Sequence, residues 1–448
     1  MNTLEQLRSG QLAGARRVQL ACGLTEFPRE VFALADTLEI LDLSGNALSS
    51  LPEDLPRLGK LRILFCSDNR FTALPEVLGR CAQLTMVGFK ANQIRTVSGQ
   101  ALPPLLRWLI LTDNQIEALP AELGRCSQLQ KLMLAGNRLQ ALPPELAACS
   151  RLELLRIAAN DLGELPPWLF SMPRLSWLAF GGNPFCQAEE AAAMTDMPIQ
   201  GIAWEQLHLQ HRLGEGASGV IHRAEQCSSD GARPVAVKLF KGTVTSDGLP
   251  HSEIAACIRA GDHPNLIPVL GKVENHPESV SGLVMSLIDT EFRNLAGPPS
   301  LDSCTRDIYG PEQRFSLASA VAIAQRIASV ARHLHRRGIM HGDLYAHNIL
   351  HCGQGRALLG DFGAASFFSP AEDAHALGLQ RLEVRAFGCL LEELIAHSDA
   401  PPGGADSLAG LLSLKTACLD EVPEKRPLFA DIEQTLALLA ASRPTAGA

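Results

Sequence analysis

The string HGDLYAHN, residues 341–348, places an aspartate and an asparagine five positions apart. Thirteen residues after Asn348 comes a second acid, Asp361, which is followed by phenylalanine and glycine. A carboxylate such as Asp343 suits a base for an incoming hydroxyl, and the side-chain oxygens of Asn348 and Asp361 suit a metal ion. These residue types therefore fit group transfer to a hydroxyl with the help of a metal ion.

A glycine-rich loop and a lysine precede this string. LGEGASGV contains Gly214, Gly216 and Gly219 in a GxGxxG pattern, and the apolar string VAVK ends at Lys238. Glycines let backbone N–H groups close over phosphate oxygens without a side-chain clash. A glycine-rich turn alone is a weak signal, but the loop, the lysine, the aspartate–asparagine string and the DFG triplet occur in one order. In that order they resemble the protein kinase family.

The resemblance implies ATP and Mg²⁺ as cofactors and gives each residue a role. Lys238 would pair the α- and β-phosphates, and Glu253, 15 residues later in a helical stretch, would hold that lysine. The string LVMSL would form the strand and hinge that hold adenine, with Met285 as the gatekeeper. The implied catalytic residues are Asp343, Lys238 and Glu253, and the implied metal ligands are Asn348 and Asp361. The implied nucleotide-binding residues are Gly214, Gly216, Gly219, Val220, Lys238, Met285 and Leu287.

Two later strings extend the resemblance. EVRAFG, beginning at Glu383, resembles the kinase helix usually written D-x-W-S-x-G, with glutamate replacing aspartate. RPLF, beginning at Arg426, resembles the late R-P-x-F segment, whose arginine pairs with the glutamate of A-P-E in that family. Here a Pro-Ala-Glu string ending at Glu372 stands in the A-P-E position. These strings separate protein kinases from other phosphotransferases and favour a protein acceptor.

The chain departs from the family pattern in its catalytic string and in its activation segment. Gly342 replaces the arginine of H-R-D, which in the family contacts an activation-loop phosphate. Tyr345 replaces the lysine that serine/threonine kinases carry two residues after the base. The activation segment is very short, because Glu372 comes only nine positions after Gly363, and Glu383 follows 11 positions after Glu372. We therefore expect activity that does not depend on phosphorylation of this segment.

Three functions fit these strings. The leading one is an active protein kinase, with serine and threonine as the expected acceptors. The second is a pseudokinase scaffold, in which the first half of the chain carries the function and the kinase fold binds nucleotide or nothing. The third is a small-molecule phosphotransferase, because HGDLYAHN also resembles the catalytic loop of aminoglycoside and choline phosphotransferases.

The first half of the chain is an internal repeat. An asparagine recurs with spacings of 23, 23, 22, 23, 23 and 23 residues. Those asparagines are Asn46, Asn69, Asn92, Asn114, Asn137, Asn160 and Asn183. Each follows a short leucine-rich string, and most units continue into a Leu-Pro pair, a pattern that resembles the leucine-rich repeat family. Because one coil cannot bury its own apolar face, the coils must stack, with each asparagine satisfying backbone groups of its neighbours.

Two columns of strand residues should face solvent on the concave side of this solenoid. Many of their members are large and apolar, which favours an interface with another protein or with the chain's own kinase domain. The residues of this predicted patch are Ile63, Phe65, Met86, Trp108, Ile110 and Met133.

The sequence thus predicts an α/β leucine-rich repeat solenoid at residues 15–187, a linker at 188–203 and an α+β two-lobed kinase fold at 204–442. The linker is expected to form a short helix and then a turn at Pro198. The net charge of −9 argues against nucleic-acid binding. No signal peptide and no membrane span are expected. The twelve scattered cysteines include several at apolar periodic positions (Cys81, Cys126 and Cys149), which indicates buried reduced thiols and a cytoplasmic location.

Overall fold

A computed structural model of the chain describes residues 1–196, 199–216, 218–229, 231–242, 244–245, 247–353, 355–370, 373–399 and 405–441. The chain divides into two compact units. The first comprises Met1–Arg174 and Asn183–Phe185, and the second comprises Leu175–Gly182 and Cys186–Ala448. The domain boundaries given above stay predictions.

The first unit is a run of short parallel strands, which confirms the predicted solenoid. A helix, α1 (Leu4–Arg8), opens it. The strands are β1 (Arg17–Gln19), β2 (Ile40–Asp42), β3 (Ile63–Phe65), β4 (Met86–Gly88), β5 (Trp108–Ile110), β6 (Lys131–Met133) and β7 (Leu154–Arg156). Each strand pairs in parallel with the next. Between the strands the chain returns through 3-10 helices at Arg29–Leu34, Leu55–Arg57, Glu76–Arg80, Gly99–Ala101, Ala121–Arg125, Pro144–Ala148 and Pro167–Ser171.

The repeated asparagines link one coil to the next, as their spacing predicts. Asn69 shows the pattern: its Oδ1 accepts a hydrogen bond from the Leu48 N–H at 2.8 Å, and its Nδ2 donates to the Leu43 carbonyl at 2.9 Å. The same Nδ2 also donates to the Cys66 carbonyl of its own coil at 3.1 Å. The Asn69 side chain therefore supplies hydrogen-bond partners for buried backbone groups that strand pairing leaves unpaired.

The concave columns are less exposed than the sequence predicts. Ile63 and Met86 are only 1% and 2% exposed, and Met133 is also buried. Neighbouring strands of a sheet lie about 4.8 Å apart, so large side chains at equivalent positions of successive coils cover one another. The prediction that these three residues face solvent is wrong.

The remaining members of the predicted patch are partly exposed. Phe65, Trp108 and Ile110 are half-buried. Phe65 and Ile110 close over Gly88, where an added Cβ would lie 2.6 Å from the Phe65 ring. The Lys131 ammonium lies 4.2 Å from the centroid of the Trp108 ring, which is a cation–π contact.

The second unit contains an eighth short strand and a six-stranded mixed sheet. The strands in chain order are β8 (Trp177–Ala179), β9 (Gly201–Ala203), β10 (Leu207–Glu215), β11 (Gly219–Ser228), β12 (Gly231–Phe240), β13 (Val269–Glu274) and β14 (Gly282–Ser286). The sheet order is β10-β11-β12-β14-β13-β9. Its core is aliphatic and includes Val235, Val237 and Val284.

The predicted linker contains regular structure. It includes most of helix α2 (Gln187–Asp196) and all of β9, which runs parallel to β13 at the sheet edge. The helix expected there is confirmed, whereas the turn expected at Pro198 lies outside the described residues. The connecting segment therefore ends as part of the sheet.

The rest of the second unit is mainly helical, so the predicted α+β fold is confirmed. Its helices are α3 (Pro250–Ala260), α4 (Leu317–Arg336), α5 (Ala374–Ala396), α6 (Ala405–Cys418) and α7 (Phe429–Ala441). Short strands lie among them: β15 (Arg293–Asn294), β16 (Phe315–Ser316), β17 (Ile339–Met340), β18 (Ile349–His351), β19 (Ala357–Leu359), β20 (Ser366–Phe367) and β21 (Ser398–Asp399). They pair as β15-β18-β19, β16-β21 and β17-β20. In the described part of the chain, no helix combines the length and the apolar character needed to cross a membrane.

Candidate active site

Lys238 and Glu253 form a buried ion pair in the second unit. Lys238 lies on β12, between Ile221 of β11 and Leu283 of β14 in the sheet register. Glu253 lies in the first turn of α3, a helix that begins with Pro250 at a position where proline is well tolerated. The Lys238 ammonium donates to the Glu253 carboxylate, and both side chains are buried. The sheet and the helix thus bring together two residues that are 15 positions apart in sequence.

The surroundings of Lys238 keep its side chain charged. Burial acts to lower the pKa of the ammonium, but the carboxylates of Asp361 and Glu253 outweigh it, and the net shift of the pKa is upward. A permanent cation at this position suits a phosphate ligand.

Asp361 lies next to this pair. Its Oδ1 is 3.6 Å from the Lys238 ammonium and accepts a hydrogen bond from the Gly363 N–H at 3.2 Å. Its backbone has a φ of 53°, a conformation that a non-glycine residue seldom adopts. The side chain is 50% exposed, so its carboxylate is open to a ligand.

The string at residues 341–348 folds into a tight loop, the predicted catalytic loop, that fixes Asp343. The Asn348 amide donates to the Asp343 carbonyl at 2.9 Å and to its carboxylate at 2.8 Å. The Asp343 N–H donates to Nδ1 of His341 at 3.3 Å, so the other ring nitrogen of His341 carries the proton and donates to the Gly360 carbonyl at 3.0 Å. The Gly360 N–H in turn donates to the Asn348 carbonyl at 3.0 Å. Asp343, Asn348 and the segment leading to Asp361 are therefore directly linked.

Asn348 and Asp361 fit a hard divalent cation. Both side-chain hydrogen bonds of Asn348 to Asp343 use its NH₂ group, so neither occupies the side-chain oxygen Oδ1, which is the atom suited to a cation. Asp361 contributes a half-exposed carboxylate. Oxygen donors of this kind suit Mg²⁺, which is commonly held by one or two protein side chains, with water and substrate phosphates.

Glu383 and Asp307 hold the catalytic loop from two sides. Glu383, on α5, is fully buried and accepts from the Gly342 N–H at 2.7 Å. Asp307 accepts from the His347 N–H at 2.9 Å, and its other oxygen lies 2.7 Å from Nδ1 of the same histidine. Sequence reasoning identified Glu383 from its motif but missed Asp307, because no spacing connects a loop residue to a partner 40 positions away.

The predicted phosphate loop connects β10 to β11. Gly214 lies at the end of β10, and the Gly216 N–H donates to the Gly219 carbonyl at 2.9 Å across the turn. A Cβ on Gly219 would lie 2.5 Å from the Leu239 carbonyl of β12, so glycine is required for the close approach of the strands. Val220 follows Gly219 on β11 and lies opposite Leu239 of β12.

A cavity of about 110 Å³ lies against the ion pair. Of the predicted residues, Lys238, Glu253, Met285 and Asp361 line it, whereas Leu287 follows β14 outside that lining. Its other walls are apolar and include Ile221, Cys257, Leu266, Val269, Leu283 and Leu359. Sequence reasoning missed these walls, because an apolar residue on a strand gives no signal that distinguishes a pocket wall from the core.

The activation segment is short and largely buried. Ser366 and Phe367 form β20, which pairs with β17 beside the catalytic loop. Ser366 is fully buried, whereas Ser369 is exposed. The family pattern also predicts a contact of Arg426 with Glu372, but Glu372 lies outside the described residues. Arg426 donates to the carbonyls of Asp420 and Arg381 at 2.9 and 3.2 Å.

Tyr345 lies against a tryptophan of the eighth strand. The rings of Tyr345 and Trp177 stack with centroids 4.1 Å apart and planes 7° apart. Nothing in the sequence pairs these residues, which are 168 positions apart.

Two family models match the chain. One, described as protein tyrosine and serine/threonine kinase, matches residues 207–385, and the other, described as Leucine Rich Repeat, matches residues 37–58. The chain is a fusion of leucine-rich repeats with a protein kinase domain. The kinase match includes the loop, the ion pair, the catalytic string and Asp361.

Known kinases align with this kinase domain at low identity. Cyclin-dependent kinase 10 of Homo sapiens is 28% identical over 218 residues, which cover 44% of this chain and 56% of the relative. Fibroblast growth factor receptor 1 of Xenopus laevis is 25% identical over 312 residues, which cover 58% of this chain and 38% of the relative. Cyclin-dependent kinase 11.1 of Caenorhabditis elegans is 28% identical over 158 residues, 35% of this chain and 20% of the relative. The chain thus spans between a fifth and little more than half of the length of these relatives.

A solved leucine-rich repeat protein of Leptospira interrogans, LIC12759, is 27% identical to this chain. The similarity covers 42% of this chain and 49% of that one, with a TM-score of 0.38.

Proposed function

We propose that this chain is an ATP-dependent protein kinase that transfers the γ-phosphate to serine and threonine hydroxyls. The observation that carries the proposal is the juxtaposition of the Lys238–Glu253 pair with Asp361, on one side, and the hydrogen-bonded Asp343 and Asn348, on the other. A base, a buried cation and two oxygen ligands are the parts that phosphoryl transfer requires.

Each side chain has a separate task in this proposal. Asp343 orients the incoming hydroxyl and accepts its proton, while Asn348 holds the Asp343 carboxylate in place. Lys238, kept cationic by its neighbours, positions the α- and β-phosphates. Asn348 and Asp361 would hold Mg²⁺, which supplies neutralisation of phosphate charge. Most of the rate enhancement would come from positioning and electrostatics, since the protein forms no covalent intermediate.

A protein acceptor is favoured by the surroundings of the catalytic loop. Glu383 lies in the motif that separates protein kinases from small-molecule phosphotransferases, and its carboxylate supports the loop directly. Serine and threonine are the finer part of the proposal, because the matching family model covers tyrosine kinases as well. Mass spectrometry of the phosphorylated residues distinguishes these acceptors.

The decisive experiment is transfer from labelled ATP by the full chain. We expect wild type to label a generic protein substrate or itself, and Asp343→Ala to lose this activity while it still binds ATP. Asp262→Ala is the matched control, because that acid is exposed and lies outside the site. ATP binding without transfer by wild type would favour a pseudokinase scaffold, and labelling of metabolites but not of proteins would favour a small-molecule kinase.

We also propose that the repeat unit recruits a protein partner through the half-buried Phe65, Trp108 and Ile110. Aromatic and aliphatic side chains in one partly exposed group are typical of interface centres. The variant Phe65→Ala/Trp108→Ala should reduce phosphorylation of native proteins in an extract and leave transfer to a generic substrate unchanged. Equal activity of both proteins towards both substrates would exclude this role.

A cytoplasmic location is the last part of the proposal. Nine of the twelve cysteines are buried. Burial raises the pKa of the Cys126 thiol to about 11 and that of the Cys149 thiol to about 12, which keeps both unreactive. Such thiols suit a reducing compartment. Protein isolated without reductant and then unfolded should titrate with twelve free thiols; a smaller number would contradict this location.

A further inference from the structure

Residues 175–182, which include β8, contact the catalytic loop inside the second unit. Trp177 stacks on Tyr345, and its indole N–H donates to the Leu344 carbonyl at 3.2 Å. Trp177 and Tyr345 are only 1% and 4% exposed. Trp177 therefore contacts the backbone of Leu344 and the ring of Tyr345, the two residues that directly follow Asp343.

The same segment limits what can occupy position 342. A Cβ on Gly342 would lie 2.6 Å from the Leu178 carbonyl and 2.5 Å from the Ala364 carbonyl. The φ of Gly342 is 73°, which also favours glycine. The loop residue before Asp343 is thus enclosed by backbone from segment 175–182 and from the activation segment.

Segment 175–182 also holds the activation segment. The N–H groups of Phe180 and Gly181 donate to the Ser366 hydroxyl at 2.9 and 3.1 Å. At its other end, Ser176 accepts from the Arg385 guanidinium at 2.9 Å. Segment 175–182 therefore contacts both the catalytic loop and the activation segment.

We propose that Trp177 is a positioning residue for phosphoryl transfer, fixing the catalytic loop so that the Asp343 carboxylate meets the acceptor hydroxyl. The inference rests on the proposed kinase activity. Asp343 is itself only partly buried, so its placement depends on the residues around it. A side chain in a reacting geometry needs neighbours whose own rotamers are locked by packing. Trp177 and Tyr345 supply such packing, and neither has to touch ATP.

This role predicts a particular kinetic signature. A small displacement of a catalytic group can slow a reaction by about 100-fold, so Trp177→Ala should lower kcat by about 10- to 100-fold. The KM for ATP should stay within about twofold of wild type, because Trp177 does not line the cavity beside Lys238 and Met285. A merely structural role would lower ATP binding and activity together.

The experiment compares four full-length variants with wild type. Trp177→Ala removes both contacts, Trp177→Phe keeps a ring over Tyr345 but loses the N–H, and Tyr345→Leu breaks the stack from the other side. Trp168→Ala is the matched control, a half-buried tryptophan nine residues earlier in the repeat unit. We expect kcat to fall for Trp177→Ala and Tyr345→Leu, to fall less for Trp177→Phe, and to be unchanged for Trp168→Ala. Melting curves and affinity for a non-hydrolysable ATP analogue show that each variant is folded and binds nucleotide.

Failure of this inference differs from failure of the proposed function. A wild-type protein that transfers no phosphate would overturn the proposed function and this inference with it. An active wild type whose folded Trp177→Ala variant retains its kcat would overturn the inference alone. If Trp177→Ala does not fold, the same decision is made on Trp177→Phe and Tyr345→Leu, and unchanged kcat in both contradicts the role.

Discussion

The main-chain N–H of Gly342 donates a 2.7 Å hydrogen bond to the carboxylate of Glu383. The second oxygen of that carboxylate lies 2.7 Å from Nε2 of His335. Glu383 is fully buried on α5, and His335 lies near the end of α4. One side chain therefore joins two helices to the loop that carries Asp343.

The first prediction concerns this carboxylate. Glu383→Ala should lower the free energy of unfolding of the kinase domain by about 3 kcal/mol, because two buried polar groups lose their partner. Urea denaturation measures the loss. Glu421→Ala is the control, since Glu421 is exposed. A loss below about 1 kcal/mol, within the range of ordinary neutral hydrogen bonds, would show that Glu383 contributes little to stability.

The second prediction concerns Gly342 itself. The family arginine at this position should inactivate this chain, because any Cβ there would lie 2.5 Å from the Ala364 carbonyl and the φ is positive. We expect Gly342→Ala and Gly342→Arg each to reduce transfer from labelled ATP by at least about tenfold. Gly163→Ala should be neutral, because nothing lies within 4 Å of its added Cβ. Greater activity in Gly342→Arg than in wild type would refute this reading of the loop.

The grouping of the candidate site residues could be predicted, because the motif order that resembles the kinase family constrains their spacing along the chain. Lys238, Asp343, Asn348 and Asp361 lie in short strings, each with local contacts that the structure shows. The fold classes followed for a related reason. A repeat of about 23 residues with one asparagine per coil leaves few alternatives to a stack of parallel strands.

The supports of the site could not be predicted, because they depend on long-range packing. The repeat pattern gives no sign that Trp177 contacts the catalytic loop, yet in the structure it stacks on Tyr345. Asp307 lies in a stretch without periodicity and contacts His347. The sequence fixes the outward direction of Ile63, but its burial depends on how closely large neighbours in the column pack. The direction of a side chain follows from the local periodicity, whereas its burial depends on the size and packing of the neighbouring side chains.

The third prediction separates the two serines of the activation segment. Ser369 is exposed, and Ser369→Ala should leave activity unchanged, as should phosphatase treatment of wild type. Ser366 accepts from the Phe180 and Gly181 N–H groups, so Ser366→Ala should lower stability by about 1 to 3 kcal/mol through the loss of that acceptor.

The readouts for these serines are activity and melting temperature measured on the same samples. Loss of activity in a folded Ser369→Ala variant, or after phosphatase treatment, would show that the short segment is controlled by phosphate after all. Because Ser366 is buried, a loss of activity in Ser366→Ala without any loss of stability would contradict the structural role assigned here.

The fourth prediction concerns the asparagines of the repeat unit. Asn137 is buried, accepts from the Ile116 N–H at 3.0 Å and donates to the Leu111 and Leu134 carbonyls at 2.9 Å. Asn137→Ala should lower the free energy of unfolding by about 3 kcal/mol, because these backbone groups would lie buried without a partner. Asn46 makes the same kinds of hydrogen bond but is only half-buried, so water can replace its amide, and Asn46→Ala should cost less. Urea titration followed by tryptophan fluorescence tests the difference, and equal losses for the two variants would show that burial does not set the strength of this ladder.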